Sequence, residues 1–284
     1  MKTDNITLIV PIKIDSKDRE RNLSTTLAFN LKHYNFKIII KEVDSERKYY
    51  NELLNDPRVT YIFEQSNLDY FHRTKILNDM LLMVDTEYVA NYDCDMLIPI
   101  NTMQEVVKMI EQKTDLIFAY KKGTFLTGVP NNSEDMNHII RTLDNSFVES
   151  IIKKFNRVDN KGGLALYQKM GLGTIWTAGG VQFFNTQSYK NGYGENEQFL
   201  DWGPEDQERL FRFAMLGYNI KWLPHESSAN GVLHLDHENS QAVSKHNQYN
   251  RKNHNLWRHI TGVYTTKQKL INYMNSLSYI TRLK

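Results

Sequence analysis

A chain of 284 residues with 40% hydrophobic and 24% charged side chains can bury one large core or two small ones, and its balance excludes intrinsic disorder and fibrous repeats. A net charge of +2 is far from the basic footprint of a nucleic-acid binder, and a single cysteine, Cys94, excludes an intrachain disulfide. No stretch approaches the roughly 18 apolar residues of a membrane span.

Met1 to Asn5 run straight into the strand-like Ile6-Thr7-Leu8-Ile9-Val10, leaving no room for a secretory leader, so a cytoplasmic protein is expected. The first hundred residues then alternate. Strand signals at Ile6 to Pro11, Phe36 to Val43, Thr60 to Phe63 and Tyr88 to Tyr92 are separated by helical patterns at Arg19 to Leu31 and Leu68 to Val84. That order predicts an α/β unit with a largely parallel sheet. The loop Pro11-Ile12-Lys13-Ile14-Asp15 has neither the G-x-G-x-x-G nor the Walker pattern, which argues against a dinucleotide oxidoreductase or an NTPase.

Asp93-Cys94-Asp95 follows the fourth strand signal. Hard cations take carboxylate and phosphate oxygens, and residues i and i+2 of a strand project to one side, so Asp93 and Asp95 can converge on an ion held against a diphosphate. The plain alternative is a solvated turn. Thr102 to Gln112 reads as a helix and Leu116 to Tyr120 as a strand. Lys121 to Gly173 is the least legible stretch, with one helix expected around Met136 to Phe155 and Lys161-Gly162-Gly163 beyond it; it could pack over a site or act as a lid.

Gly179-Gly180 lead into a strand over Ala178 to Phe184, where paired glycines admit a ligand or another backbone. Trp202-Gly203-Pro204-Glu205-Asp206 reads as a helix start, with Pro204 in the first turn and a stop at Gly217; acids there stabilise a helix even without catalysis. His234-Leu235-Asp236-His237 follows Gly231-Val232-Leu233, and histidines so spaced can share a metal or sit hydrogen-bonded at a surface. No Asp or Glu follows Glu238, whereas Lys245, Arg251, Lys252, Arg258, Lys267, Lys269, Arg282 and Lys284 give eight positive charges, leaving −6 for residues 1–238. With Ile271, Met274, Leu277 and Ile280 in series, the tail is either a terminal helix packing one face on the core or a peripheral contact at the inner face of a membrane.

In order, these pieces resemble the β-1,4-galactosyltransferase-like branch of the GT-A glycosyltransferases, including the galactosyltransferase domains of chondroitin-type polymerases. Phe71-His72-Arg73-Thr74-Lys75-Ile76-Leu77-Asn78 is similar to that family's Phe-Asn-Arg-Ala-Lys-Leu-Leu-Asn, and Asp93-Cys94-Asp95-Met96-Leu97-Ile98-Pro99 to its Asp-Val-Asp-Leu-Ile-Pro. Gly179-Gly180-Val181, Asn191-Gly192-Tyr193 and Trp202-Gly203-Pro204-Glu205-Asp206, in place of Trp-Gly-Gly-Glu-Asp, complete the set over roughly residues 6 to 240. Pro204 replaces a glycine, Gly194 to Asp201 is longer than the family's small mobile loop, and Lys121 to Gly173 has no clear counterpart.

The resemblance implies a GT-A, Rossmann-like fold with a mixed, mainly parallel sheet flanked by helices and a basic C-terminal helical extension. Residues 1–100 would be the nucleotide-sugar half, 101–240 the acceptor-binding and catalytic half, and 241–284 the extension. It implies Mn²⁺ (or Mg²⁺) on Asp95 with His237 and His234, and nucleotide-sugar contacts from Pro11, Lys13, Asp15, Arg73, Asp93, Cys94, Gly179 and Gly180. Asp206 would be the base, Glu205 would orient acceptor or donor hydroxyls, and Trp202 would line the acceptor site. The activity implied is metal-dependent, inverting transfer of a hexose or N-acetylhexosamine from a UDP-sugar to a saccharide or lipid-linked saccharide, in surface polysaccharide or glycoconjugate synthesis. A non-catalytic nucleotide-sugar- or carbohydrate-binding module and a metal-dependent nucleotidyltransferase are the competing readings.

Overall fold

Seven consecutive buried residues make β1 (Ile6–Ile12), and α1 (Lys17–His33) follows, capped by the Ser16 hydroxyl, which accepts from the Arg19 amide. The computed structural model describes residues 1–155, 157–158, 165–238 and 248–283; Lys161-Gly162-Gly163, Lys245 and Lys284 lie outside the described residues. β2 (Lys37–Asp44), β3 (Val59–Gln65), α2 (Arg73–Leu81) and β4 (Tyr88–Tyr92) come next. The helix predicted over Leu68 to Val84 is thus shorter, because the chain before Arg73 is held in a loop, where the Phe71 amide donates to the Asp201 carboxylate at 3.4 Å.

β4 ends in a turn closed by the Met96 amide on the Asp93 carbonyl, and β5 (Met96–Leu97), α3 (Ile100–Glu111) and β6 (Leu116–Lys121) continue from it. The illegible stretch contains β7 (Thr124–Phe125), β8 (Thr127–Val129), α4 (Glu134–Thr142), α5 (Asn145–Phe155), β9 (Arg157–Val158) and α6 (Ala165–Lys169). The single helix expected around Met136 to Phe155 is two. Leu143 takes a left-handed conformation at φ 50° that ends α4, and the Asp144 carboxylate accepts from the Ser146 amide to open α5. β10 (Val181–Asn185), α7 (Thr186–Asn191), α8 (Glu205–Leu216), β11 (Ile220–Leu223) and β12 (Leu233–Leu235) complete the body, and α9 (Asn250–Val263), α10 (Lys267–Asn275) and α11 (Ile280–Leu283) form the tail.

The central sheet has seven strands in the order β11-β6-β10-β4-β1-β2-β3. All run parallel except β10, which is antiparallel to both its neighbours. That one reversal matters. Val181 pairs with Tyr92, so β10 begins at the edge where β1 and β4 end, and Gly179-Gly180 arrive beside Asp93, whose amide donates to the Gly180 carbonyl at 3.1 Å. A smaller sheet, β5-β12-β8, lies next to it, with the Leu235 amide donating to the Asp95 carbonyl at 2.8 Å. This pairing sets the histidines of 234–237 against the turn at 93–95.

Of the tail's apolar series, Met274 and Ile280 are buried and Ile271 and Leu277 half-buried. Ile260, Leu270 and Leu283 are buried as well, and α9 and α10 lie against α8. Arg251, Lys252 and Arg258 remain exposed on α9. Among the described residues, no helix is long and apolar enough to cross a membrane.

Candidate active site

A cleft of about 360 Å³ opens at the carboxyl edge of β1 and β4, where ligands gather in open α/β sheets. Pro11 lines it from the end of β1, Lys13 and Asp15 from the loop that follows, Arg73 from the start of α2, Trp202 from the loop before α8 and Glu205 from the first position of α8. Six residues expected from the sequence thus share one cavity. None of the described residues of 121–173 lines it.

Next to the cleft, on the side lined by Glu238, Asp95, His234 and His237 offer ligand atoms that all lie within 4.8 Å of one another. His237 Nε2 is 3.3 Å and His234 Nε2 3.6 Å from Asp95 Oδ2. Each imidazole turns its other nitrogen to a partner, His234 Nδ1 to Asp236 Oδ1 at 2.8 Å and His237 Nδ1 to the Glu238 carbonyl at 3.1 Å, an outer shell of the kind that orients metal ligands. Gly128 belongs to this shell, since a Cβ there would stand 2.8 Å from Asp236 Oδ1. Burial disfavours charge on Asp95, but the histidine hydrogen bonds prevail and hold it well below the usual carboxylate range. Burial likewise works against protonated His234, yet Asp236 and Asp95 push its pKa up to about 10.

Around the cleft-lining Arg73 and Glu205, three carboxylates meet two arginines. Arg73 Nη2 donates to Asp93 Oδ1 at 2.7 Å, and its Nη1 stands 3.7 Å from both Glu205 Oε1 and Asp206 Oδ1. Arg209, the fifth residue of α8, donates to Asp206 Oδ1, to Gln182 Oε1 and to the fully buried Glu195. Burial, reinforced by Asp206 and opposed by Arg73, pushes the Glu205 carboxyl up to about 8. Asp93 is also raised, by burial against Arg73 with help from Asp95 and Asp206. Two buried atoms here have no hydrogen-bond partner among the described residues, Arg73 Nη1 and Glu205 Oε2.

The turn at 93–95 corrects one expectation. Asp93 and Asp95 do not act as an i, i+2 pair on one strand face, because β4 stops at Tyr92; Asp93 serves the arginine end and Asp95 the histidine end. Cys94 is buried, with Arg19 Nη1 donating to its sulfur at 3.8 Å, and does not line the cleft. At Gly179 a Cβ would fall 2.5 Å from Asp206 Oδ2. Gly180, at φ 86°, packs against Leu126 and Met96. Pro204 is the helix cap, one position before the first turn. Trp202 is half exposed over the cleft, as an acceptor platform requires. The loop from Gly194 to Asp201 is packed, with Glu195, Asn196 and Phe199 fully buried.

Sequence reasoning missed Arg19, Gln182, Glu195 and Arg209. The signal available for Arg209 was its spacing, three residues past Asp206 on a helix and therefore on the same face.

Residues 169–238, which carry Asp206, His234 and His237, match a family described as the N-terminal domain of galactosyltransferase. S. aureus TarS 1–349 in complex with UDP-GlcNAc superposes with a TM-score of 0.51 at 16% identity, covering 84% of this chain and 60% of that one. The mannosyltransferase PcManGT from Pyrobaculum calidifontis, in complex with GDP-Man and Mn²⁺, gives 0.50 at 14% identity, covering 99% and 70%. Drosophila β1,4-galactosyltransferase 7 with xylobiose gives 0.46 at 14%, covering 82% and 71%. Among curated proteins, none matches the sequence significantly. The chain has the fold of the GT-A glycosyltransferases, in keeping with the α/β class and the resemblance, and its residues 169–238 are similar to a galactosyltransferase family.

Proposed function

We propose that this protein is a metal-dependent, inverting glycosyltransferase that moves a hexose or N-acetylhexosamine from a UDP-sugar to a hydroxyl of a saccharide or lipid-linked saccharide. One observation carries this reading: a carboxylate and two imidazoles converge within 4.8 Å, and the same 93–95 turn brings Asp93 to Arg73, whose Nη1 stands 3.7 Å from Glu205 and Asp206 beside the cleft. One oxygen and two nitrogens suit Mn²⁺ better than Mg²⁺, which prefers oxygen ligands throughout. Mn²⁺ accompanies GDP-Man in the Pyrobaculum protein, and UDP-GlcNAc is bound in TarS. Asp95, His234 and His237 would hold the ion, which when bound neutralises charge on a diphosphate leaving group as a Lewis acid.

The remaining work falls to side chains. Lys13 and Arg19 bring positive charge to the wall where the nucleotide lies. Arg73 Nη1 and Glu205 Oε2 lack partners, and a sugar hydroxyl between them would satisfy both, accepting from the guanidinium and pairing with the carboxyl oxygen. The Trp202 indole offers an apolar face to the acceptor ring. Asp206 takes the proton of the attacking hydroxyl as the new bond forms at the anomeric carbon and the nucleoside diphosphate leaves from the opposite face, a single displacement with inversion. In this reading residues 1–100 bind the nucleotide sugar and 101–240 supply the acceptor site. Exposed Arg251, Lys252 and Arg258 favour an anionic membrane surface carrying a lipid-linked acceptor.

The test is to incubate the purified chain with Mn²⁺ and a panel of nucleotide sugars, following nucleoside diphosphate with and without sugar acceptors. Metal-dependent release from one donor is expected. Binding of a donor with neither transfer nor hydrolysis would favour a binding module, and pyrophosphate as product a nucleotidyltransferase.

A further inference from the structure

Asp206 is held from two sides. Its Oδ1 accepts from Arg209 Nη2, and its Oδ2 occupies the space left by Gly179, where an alanine Cβ would lie 2.5 Å away. Arg209 itself has no freedom to follow a moving carboxylate. It is 1% exposed, its Nη1 donates to Glu195 Oε1, and its Nη2 also donates to Gln182 Oε1 at 2.9 Å. Glu195, 0% exposed, is fixed in turn by Asn91 Nδ2 at 2.8 Å and by the Tyr189 hydroxyl, so the clamp is anchored on β4, β10 and α7 at once. A buried ion pair adds little net stability over well-packed apolar side chains, and its known use is to impose one geometry.

We propose that Arg209 and Gly179 form a two-sided clamp that positions the Asp206 carboxylate for proton abstraction, with Glu195 and Gln182 as its anchor. The proposal rests on the transfer reading of this site and assigns to Arg209 a positioning role, since it does not line the cleft. It also gives Gly179 a purpose distinct from donor binding. Displacement of a catalytic group by about 1 Å can cost roughly 10²-fold in rate, so loss of either jaw should act on turnover and leave donor affinity in place.

The experiment uses the full chain with Mn²⁺ and the donor that the panel identifies, comparing Arg209→Met, Arg209→Lys and Gly179→Ala with the wild type. Crystal structures of the same variants read the Asp206 position without reference to activity. Expected are a kcat loss of roughly 10²-fold for Arg209→Met and for Gly179→Ala, donor KM within about threefold, partial recovery in Arg209→Lys, and a shifted Asp206 carboxylate. Should Arg209→Met fail to fold, Gly179→Ala, which leaves every buried charge in place, carries the test. An unmoved carboxylate in Gly179→Ala, or a loss borne by KM alone, would overturn the clamp. A wild type that binds donor without turnover would refute the transfer reading instead, while the crystallographic arm still decides whether the jaws position Asp206.

Discussion

At the histidine end of the cleft Asp95 pairs with His234 and His237, and among the described residues no lysine or arginine forms an ion pair with it. At the helix end Asp93, Glu205 and Asp206 are crossed by Arg73 and Arg209, permanent cations built into the fold. Imidazoles can surrender a proton and receive an ion; guanidiniums cannot. The two ends therefore have different dependencies. The first offers ligands that a metal could complete, and the second carries its counter-charges in the protein itself. Removing the metal should silence donor binding at the first end without altering the ion pairs of the second.

The largest effect that sharpens this contrast is Asp206→Asn. Turnover should fall roughly 10²- to 10⁴-fold, the usual contribution of a general base, while donor binding persists; near-normal turnover would erase the distinction. Next comes pH. Glu205 keeps its proton in the fold up to about 8, whereas the unfolded chain loses it in the ordinary carboxylate range, so the folded state binds more protons in that window and stability falls as pH rises through it. Glu205→Gln should flatten the decline, a gain on the order of a few kcal/mol at pH 9 over the wild type and none at pH 4, read by urea denaturation in metal-free buffer. Parallel wild-type and variant curves would show that the arginines already neutralise this end.

At the histidine end, Asp236→Asn removes the group that orients His234 and should weaken Mn²⁺ binding roughly 10- to 100-fold by calorimetry, with the α8 cluster untouched. The smallest effect belongs to the tail. Arg282 reaches Asp79 on α2 and Glu197 in the 194–201 loop from a partly exposed position, so Arg282→Ala should cost about 1 kcal/mol or less, a fall of a few degrees in Tm.

What the sequence disclosed divides along the same line. Motifs contiguous in the chain were legible: β4 appears with its expected limits and α8 ends at Gly217 in the left-handed conformation, whereas the approach of the histidines of 234–237 to Asp95 came only from the resemblance. Contacts assembled across the chain were not. Nothing local says that Glu195 faces Arg209, because a buried ion pair between a loop and a helix leaves no periodic trace. A glycine such as Gly179 shows only that something comes close, and nothing local says that Asp206 is among its neighbours. The break between α4 and α5 escaped notice because Leu143, a good helix former, is an uncommon residue for a left-handed turn.

The most direct measurement is calorimetric titration of the donor nucleotide sugar, with Mn²⁺ present, into wild type, Asp95→Ala and Asp206→Asn. The account predicts wild-type affinity in Asp206→Asn and no metal-dependent binding in Asp95→Ala. Equal binding by all three, or equal loss in both variants, would contradict the division of the cleft into an ion-holding end and a proton-transfer end.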